Sequence, residues 1–509
     1  MSRAFQAPLW EPLTGTNLLI LTIALPLATF MQVVDTTIAN VAVQTISGNL
    51  GASYSQGTWI ITSYSVANAI VLPLTGPLAQ RFGEKRLFLW STGLFALAST
   101  ACGLSQDMTA LVIFRIIQGA VGGPMIPLAQ SLLMNNYPRE KQVMALALFS
   151  MTVSVAPVFG PIMGGYISDN FHWSWIFFIN IPFGLAVLLL SSRVLAGRET
   201  KIKRPRWSGI SFGLLALGVG AFQMMLDRGK DLDWFNSPSI QILAVIAVTG
   251  LTLLLVWEYS NPKALIDLSL FKYRNFCVGI TLISAGMMLY MGTVVLIPLL
   301  LQTRYAYTAT WAGLATAPIG ILPVIMMPLL GRYSKHIDMR FVITAGFGVL
   351  AVTMHMRTGF EPGMDMRYVL LPQFIQGIGL ACFFAPITSI TFIGMDPGKI
   401  AGASGLYNCS RTLFSAIGAS ISTTFWERRE ALHQTRLSGL IDAYNPLATE
   451  SLRRLTDLGM TQDQAAGYLE RQIVNQSFII SANEIFQACS YCFLFLIILV
   501  WLSKPAKTF

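Results

Sequence analysis

The sequence predicts an all-α polytopic membrane protein made of two related six-helix bundles separated by an inserted helix pair. Three observations predict it. Apolar stretches of bilayer length recur along all 509 residues, of which 54% are hydrophobic and 11% charged; soluble chains average roughly 25% charged residues. Lys and Arg gather in alternate loops, and motifs of the first half return in order in the second.

Crossing a hydrocarbon core of roughly 30 Å takes about 20 apolar residues in a helix. Helices are the form, because lipid leaves an open strand edge without partners. Fourteen segments qualify, near 16–38, 57–79, 87–105, 109–133, 142–167, 174–194, 208–226, 239–258, 275–301, 311–331, 341–357, 368–391, 402–426 and 483–503. The first runs on through Asp35 and Asn40 instead of into a cleavage site, so it is a span and not a signal peptide.

With the N-terminus inside, the inner loops and tails hold 21 Lys and Arg, from Arg3 to Lys507, including the cluster Arg193, Arg198, Lys201, Lys203, Arg204 and Arg206. The short outer loops hold 5: Arg228, Lys230, Arg304, Arg357 and Arg367. This asymmetry places both termini in the cytoplasm, and it accounts for the net charge of +10 without a nucleic-acid partner. The outer segment 427–482 carries six Arg but is long, and long loops weigh little in this rule. It is polar, reads as helical from Thr461 onward, and either caps the outer face or receives a periplasmic partner.

Thr58-Trp59 returns as Thr310-Trp311, the run Pro73 to Gly76 as Pro328 to Gly331, Gln118-Gly119 as Gln376-Gly377, and Pro127 as Pro386. The offsets stay between 252 and 259 residues. Span 2 thus maps to span 10 and span 4 to span 12, which leaves spans 7 and 8 as the inserted pair. The expected domains are 1–200, 201–262 and 263–509, the last including segment 427–482. Two related bundles around a midplane site are the architecture of secondary transporters.

Asp35 is the strongest single candidate. A carboxylate near the bilayer centre costs roughly 2.5–3.5 kcal/mol on insertion scales, so it faces a polar interior. A carboxyl held from water can trade its charge for a proton, which makes Asp35 a candidate proton carrier; a structural hydrogen bond is the plainer reading. Arg115 in span 4 keeps its charge, and its expected task is to lower the cost of a nearby carboxylate, with Asp35 a candidate partner. Gln373 occupies the matching place in the second half, so charge coupling is expected in the first bundle.

Gly160, Pro161, Gly164 and Gly165 put small residues and a proline into span 5, suited either to a moving seam between bundles or to a static close crossing. The turn containing Gly76, Arg81, Gly83 and Arg86 is basic and glycine-bearing, suited to locking helix ends as well as to setting topology. Gln32, Asn40, Met287, Tyr290, Gln373 and Arg411 are the candidate substrate-lining residues. The four histidines are scattered and form no metal or catalytic set. Cys489 and Cys492 lie within the last apolar segment and read as packing. No Gly-x-x-x-x-Gly-Lys motif is present, which argues against ATP-driven transport, and no catalytic constellation suggests an enzyme.

At these residues the chain resembles the fourteen-span drug:proton antiporter branch of the major facilitator superfamily, and within it the EmrB-type inner-membrane pumps. The resemblance rests on DTTIANVA from Asp35, the turn Gly76 to Arg86, Arg115 with Gln118-Gly119, and GPIMGG from Gly160. WSWIFFINIPFG from Trp173 and IISANEIF from Ile479 extend it, the last toward the EmrB group in particular. Gln80 stands where the superfamily turn usually has Asp, and Ser174 where many relatives have Arg. The resemblance implies the major facilitator fold in a bacterial inner membrane and proton-driven export of drugs, uncouplers, fatty acids or bile salts. It implies a periplasmic adaptor (EmrA-like) and an outer-membrane channel as partners, and no cofactor, the proton gradient being the energy source. An uptake permease or channel of the same fold is the alternative.

Overall fold

The computed structural model describes residues 11–200, 202, 208–261, 265–334, 336–439, 441 and 445–504. Arg3, Lys201, Lys203, Arg204, Arg206, Lys263, Lys335 and Lys507, used above for orientation, lie outside the described residues, as do the two expected domain junctions at 201 and 262–263.

Fourteen long helical segments follow the expected spans in order: α1 Gly15–Asn49, α2 Trp59–Phe82, α3 Glu84–Gly103, α4 Met108–Asn136, α5 Gln142–Asn170, α6 Trp175–Val194, α7 Gly209–Gly229, α8 Pro238–Ser260, α9 Arg274–Arg304, α10 Trp311–Tyr333, α11 Met339–Arg357, α12 Met366–Phe392, α13 Ile400–Ser438 and α14 Gln462–Val500. Among the described residues, twelve helices are long and apolar enough to cross a membrane; α3 and α13 take the remaining two places. Proline sits inside α1 (Pro26), α9 (Pro298), α10 (Pro328) and α12 (Pro372 and Pro386). Membrane helices tolerate this where neighbours supply the freed backbone groups.

Packing is apolar throughout. One large buried cluster joins α9 to α14 through Phe276, Phe347, Phe383, Phe392, Phe486 and Phe493. Two others centre on the first six helices, one around Phe88 and Phe95 that also takes in Ala401 of α13 and one around Trp173 and Phe177. The helices α7 and α8 cross where Gly218 meets Gly250: a Cβ on Gly218 would stand 2.9 Å from the Leu251 nitrogen. Their remaining surfaces differ. Helix α8 turns Ile242, Val245, Val248 and Leu255 outward, as an apolar helix in lipid does.

Two helices exceed the bilayer. At 39 residues each, α13 and α14 run about 58 Å at 1.5 Å per residue, roughly twice a hydrocarbon core of 30 Å. Segment 427–482 is therefore not a loop with one helical part. It consists of the projecting ends of α13 and α14 joined through a helix at Pro446–Asp457. A capping box between Thr461 and Gln464 starts α14. Arg429 forks onto Glu484 with both contacts at 2.7 Å, and Trp426 packs edge-on against Phe478 while donating to its carbonyl at 2.8 Å.

Arg357 requires a correction. It is the last residue of α11 and wholly buried, not a residue of an outer loop. Removing it from the outer set strengthens the charge asymmetry.

Candidate functional site

Asp35 sits in the third quarter of α1 with no surface exposed, and three other helices converge on it. Arg115 and Gln118 lie three residues apart on α4, hence on one face of the helix. Arg115 Nη1 donates to Asp35 Oδ2 at 2.7 Å and to Gln118 Oε1 at 2.9 Å. Gln118 Nε2 donates to Asp35 Oδ1 at 3.0 Å, and Asn180 Nδ2, at the head of α6, donates to the same oxygen at 2.6 Å. Both carboxylate oxygens are thus held, one by a cation and one by two amides.

The guanidinium is held as closely. Its Nε donates to the Ile60 carbonyl on α2 at 3.1 Å, and its Cζ stands 4.3 Å from the centre of the Tyr64 ring. That approach depends on Gly119, where a Cβ would collide with the Tyr64 carbonyl oxygen. Asn180 is positioned by Ser99 on α3, whose Oγ accepts from it at 2.9 Å and donates to the Phe177 carbonyl. Isolated charges at this depth would each cost several kcal/mol, so the pair persists because its geometry and its extra hydrogen bonds offset the desolvation. A proton on Asp35 would cancel the attraction and turn one acceptor oxygen into a donor, setting it against groups that only donate there. The arrangement ties α1, α2, α4 and α6 together at one point.

The other expected residues fall into separate places. Gln32 is buried one turn before Asp35, whereas Asn40 is exposed. Gly160 and Gly164 press on Thr37 and Ile38 of α1, while Gly165 meets nothing; the side chain of Pro161 lies outside the described set. The α5 glycines thus make a close crossing with α1, and other α5 residues, Met144 and Val158, face Gly331 and Gly320 of α10. Met287 and Tyr290 are buried on α9, and Arg411 is half-buried on α13. Gln373 is remote from Asp35 and accepts from Arg357 at 3.0 Å.

The basic turn works through its neighbours. Gly83 has φ 88°, and a Cβ there would collide with Glu199 Oε1. Glu199 instead accepts from the backbone nitrogens of Lys85 and Arg86 at 3.1 and 3.0 Å, capping the start of α3. Gly76 lies against Gly402 of α13, where a Cβ would be 2.7 Å from the Gly402 Cα. Nearby, Gln130 Oε1 on α4 accepts from Ser404 Oγ and, at 3.2 Å, from Asn408 Nδ2, both on α13. Gly331 of α10 meets Met144 of α5 at the same end. The first six and last six helices are therefore sealed together on the side of the basic turn. On the opposite side α7 bridges them: Arg228 stacks on Trp59 at 4.4 Å, and Ser420 donates to the Leu226 carbonyl at 2.9 Å.

The sequence model of the Major Facilitator Superfamily matches residues 25–419, which run from within α1 to within α13 and include the site. The chain belongs to the major facilitator superfamily. It is a multi-pass membrane transporter of this superfamily, not an enzyme, and its relatives place it in the EmrB group. It is 56% identical to the "Multidrug export protein EmrB" of Escherichia coli K12 over 496 residues, 97% of each chain. It is 51% identical to the "Fatty acid resistance protein FarB" of Neisseria gonorrhoeae, over 97% of this chain and 98% of that one. Solved structures share the major facilitator fold at low identity. The human organic anion transporter MFSD10 superposes with a TM-score of 0.60 at 13% identity, covering 96% of this chain and 100% of that one. A mutant form of the peptide transporter POT gives 0.58 at 14% identity, covering 97% and 98%.

Within this major facilitator site, residue chemistry pointed to Asp35 and Arg115 and missed Gln118, Asn180, Tyr64 and Ser99 as their partners. The spacing of Gln118 from Arg115 was the available signal for one of them. Nothing in the local sequence marks Tyr64 or Ser99, because what selects them is proximity across helices. No group of His, Cys, Asp and Glu among the described residues is arranged to hold a metal ion.

Proposed function

We propose that this transporter is a proton-coupled antiporter exporting hydrophobic or amphipathic compounds across a bacterial inner membrane. The fully buried Asp35–Arg115 pair at 2.7 Å carries the reading. A proton reaching Asp35 from outside neutralises it and releases Arg115, Gln118 and Asn180 together. Loss of that proton to the cytoplasm re-forms the pair. The protonated carrier, with the pair broken, brings the proton inward, and substrate moves outward in the half of the cycle in which the pair is re-formed, so the proton gradient drives export. The multidrug export and fatty acid resistance named for the relatives support the direction and the substrate class.

The same reading takes fourteen spans in a 6 + 2 + 6 order, with bundles at 1–200 and 263–509, the linker pair between them, and both termini cytoplasmic. The sealed side, that of the basic turn, is then the cytoplasmic face. Segment 427–482 projects outward and serves an EmrA-like adaptor leading to an outer-membrane channel. Leu447 and Leu458, 78% and 80% exposed at the ends of the connecting helix, are the apolar side chains offered there.

The test is proton-driven dye transport in proteoliposomes. Wild type should move a hydrophobic dye against its gradient when a pH gradient is imposed, stop when a protonophore collapses it, and fail with Asp35→Asn. Substrate accumulation in the opposite direction, or gradient-independent leak, would replace export with uptake or channel activity.

A further inference from the structure

The last six helices hold a second buried polar cluster at the matching positions of the repeat, and among the described residues its charge is not balanced. Tyr290 stands 255 residues after Asp35, Gln373 and Gln376 stand 258 after Arg115 and Gln118, and Arg357 stands 255 after Cys102. The contacts obey the same correspondence. Cys102 Sγ donates to Gln118 Oε1 at 3.5 Å, and Arg357 Nη2 donates to Gln376 Oε1 at 2.5 Å. Arg357 Nη2 also donates to Gln373 Oε1 at 3.0 Å, and Nη1 lies 3.5 Å from Met354 Sδ. The guanidinium has thus moved from α4's counterpart to α3's counterpart, and a tyrosine occupies the place of the carboxylate.

The consequence is electrostatic. Among the described residues every acceptor of Arg357 is neutral, although the side chain is wholly buried. A second cation, Arg411, is half-buried on α13, while Glu484 of α14 is already taken by Arg429. A buried charge without a counter-charge is held at a cost, and an anion delivered to it recovers charge-assisted hydrogen bonds. The neighbouring amide is ready for one: Gln376 Nε2 is buried and has no hydrogen-bond partner. Arg357 and this amide group together present donors for two oxygens, which fits a carboxylate. Tyr290 is buried on α9. Gln373 lies seven residues into α12, about 10 Å along the helix from its outer end at 1.5 Å per residue.

We propose that Arg357 and Gln376, flanked by Tyr290 and Gln373, form a binding site for the carboxylate of an amphipathic anion, distinct from the Asp35–Arg115 pair. The proposal names a substrate class for the exporter reading and rests on that reading only for its direction of transport.

The test measures equilibrium binding of radiolabelled dodecanoate and of methyl dodecanoate to the full-length protein in nanodiscs, without a proton gradient. Arg357→Gln should weaken dodecanoate binding at least tenfold and leave the ester within twofold, and Arg357→Lys should restore part of the loss. Gln376→Glu is the second variant. It places an internal carboxylate beside the guanidinium, so it should raise thermal stability while weakening dodecanoate tenfold or more. Unchanged dodecanoate binding in the Arg357→Gln and Gln376→Glu proteins, or equal loss for acid and ester, overturns the proposal. Binding needs no gradient, so absence of proton-driven export by wild type would remove the exporter reading and leave this site standing.

Discussion

Asp35→Asn and Arg115→Gln separate two properties of the buried pair that a single variant confounds. In the wild type, Asp35 accepts from Arg115, Gln118 and Asn180, and Arg115 also reaches the Ile60 carbonyl and the Tyr64 ring. Asp35→Asn keeps the shape but strands the guanidinium without its counter-charge and turns one acceptor into a donor among donors. Removing one member of a buried pair costs roughly 3–5 kcal/mol. Arg115→Gln strands the carboxylate and should cost about the same. The double variant holds two neutral amides, so it should cost less than the sum of the single losses by about 3 kcal/mol or more, since neutral replacement of a buried pair is often close to neutral. Denaturant titration of purified protein gives the three stabilities, and dye transport in proteoliposomes gives activity. The double variant should be stable and still unable to couple transport to protons, because neither amide carries a proton. Additive stability losses would refute the interaction. Full proton-driven transport by Asp35→Asn would refute the coupling role.

Three other outcomes follow from close approaches and exposed side chains. Gly76→Val puts a side chain where even a Cβ would be 2.7 Å from Gly402 Cα, so it should hold the basic-turn side apart and increase the reactivity of a cysteine introduced at Gln130 toward a thiol reagent; unchanged labelling would contradict that closure. Gly418→Ala drives a methyl into the Met288 carbonyl oxygen across α9 and α13, so it should lower the yield of folded protein by at least severalfold, read by fluorescence-detected gel filtration. Leu447→Asp with Leu458→Asp should abolish co-purification with the adaptor while dye transport in proteoliposomes, which lack the adaptor, stays within twofold of wild type; retained co-purification would move the adaptor site elsewhere.

Much of the architecture was legible without coordinates. Lipid imposes strong constraints on a chain: each crossing must be apolar, helical and about 20 residues long. The order of the fourteen apolar segments and the presence of Asp35 and Arg115 inside two of them are local or periodic properties, which a sequence carries directly. The lengths of α13 and α14 were not legible, because composition marks where a helix leaves lipid, not where it ends. Arg357 was misplaced for a related reason. A cation at the end of an apolar run reads as a loop residue, and only its reach back to Gln373 and Gln376 reveals that it is buried.

The sequence by itself determined that this chain is a bundle of membrane helices with a carboxylate and a guanidinium in its first half, because hydropathy and charge act residue by residue. Tertiary structure alone decided that the two charges touch and that Asn180 and Gln118 complete their shell. It also decided that the second half keeps a buried guanidinium whose acceptors, among the described residues, are all neutral, because these facts depend on which faces of separate helices meet. Glycines such as Gly119 and Gly402 set how closely those faces approach, and a glycine's neighbours across an interface are not written beside it in the chain.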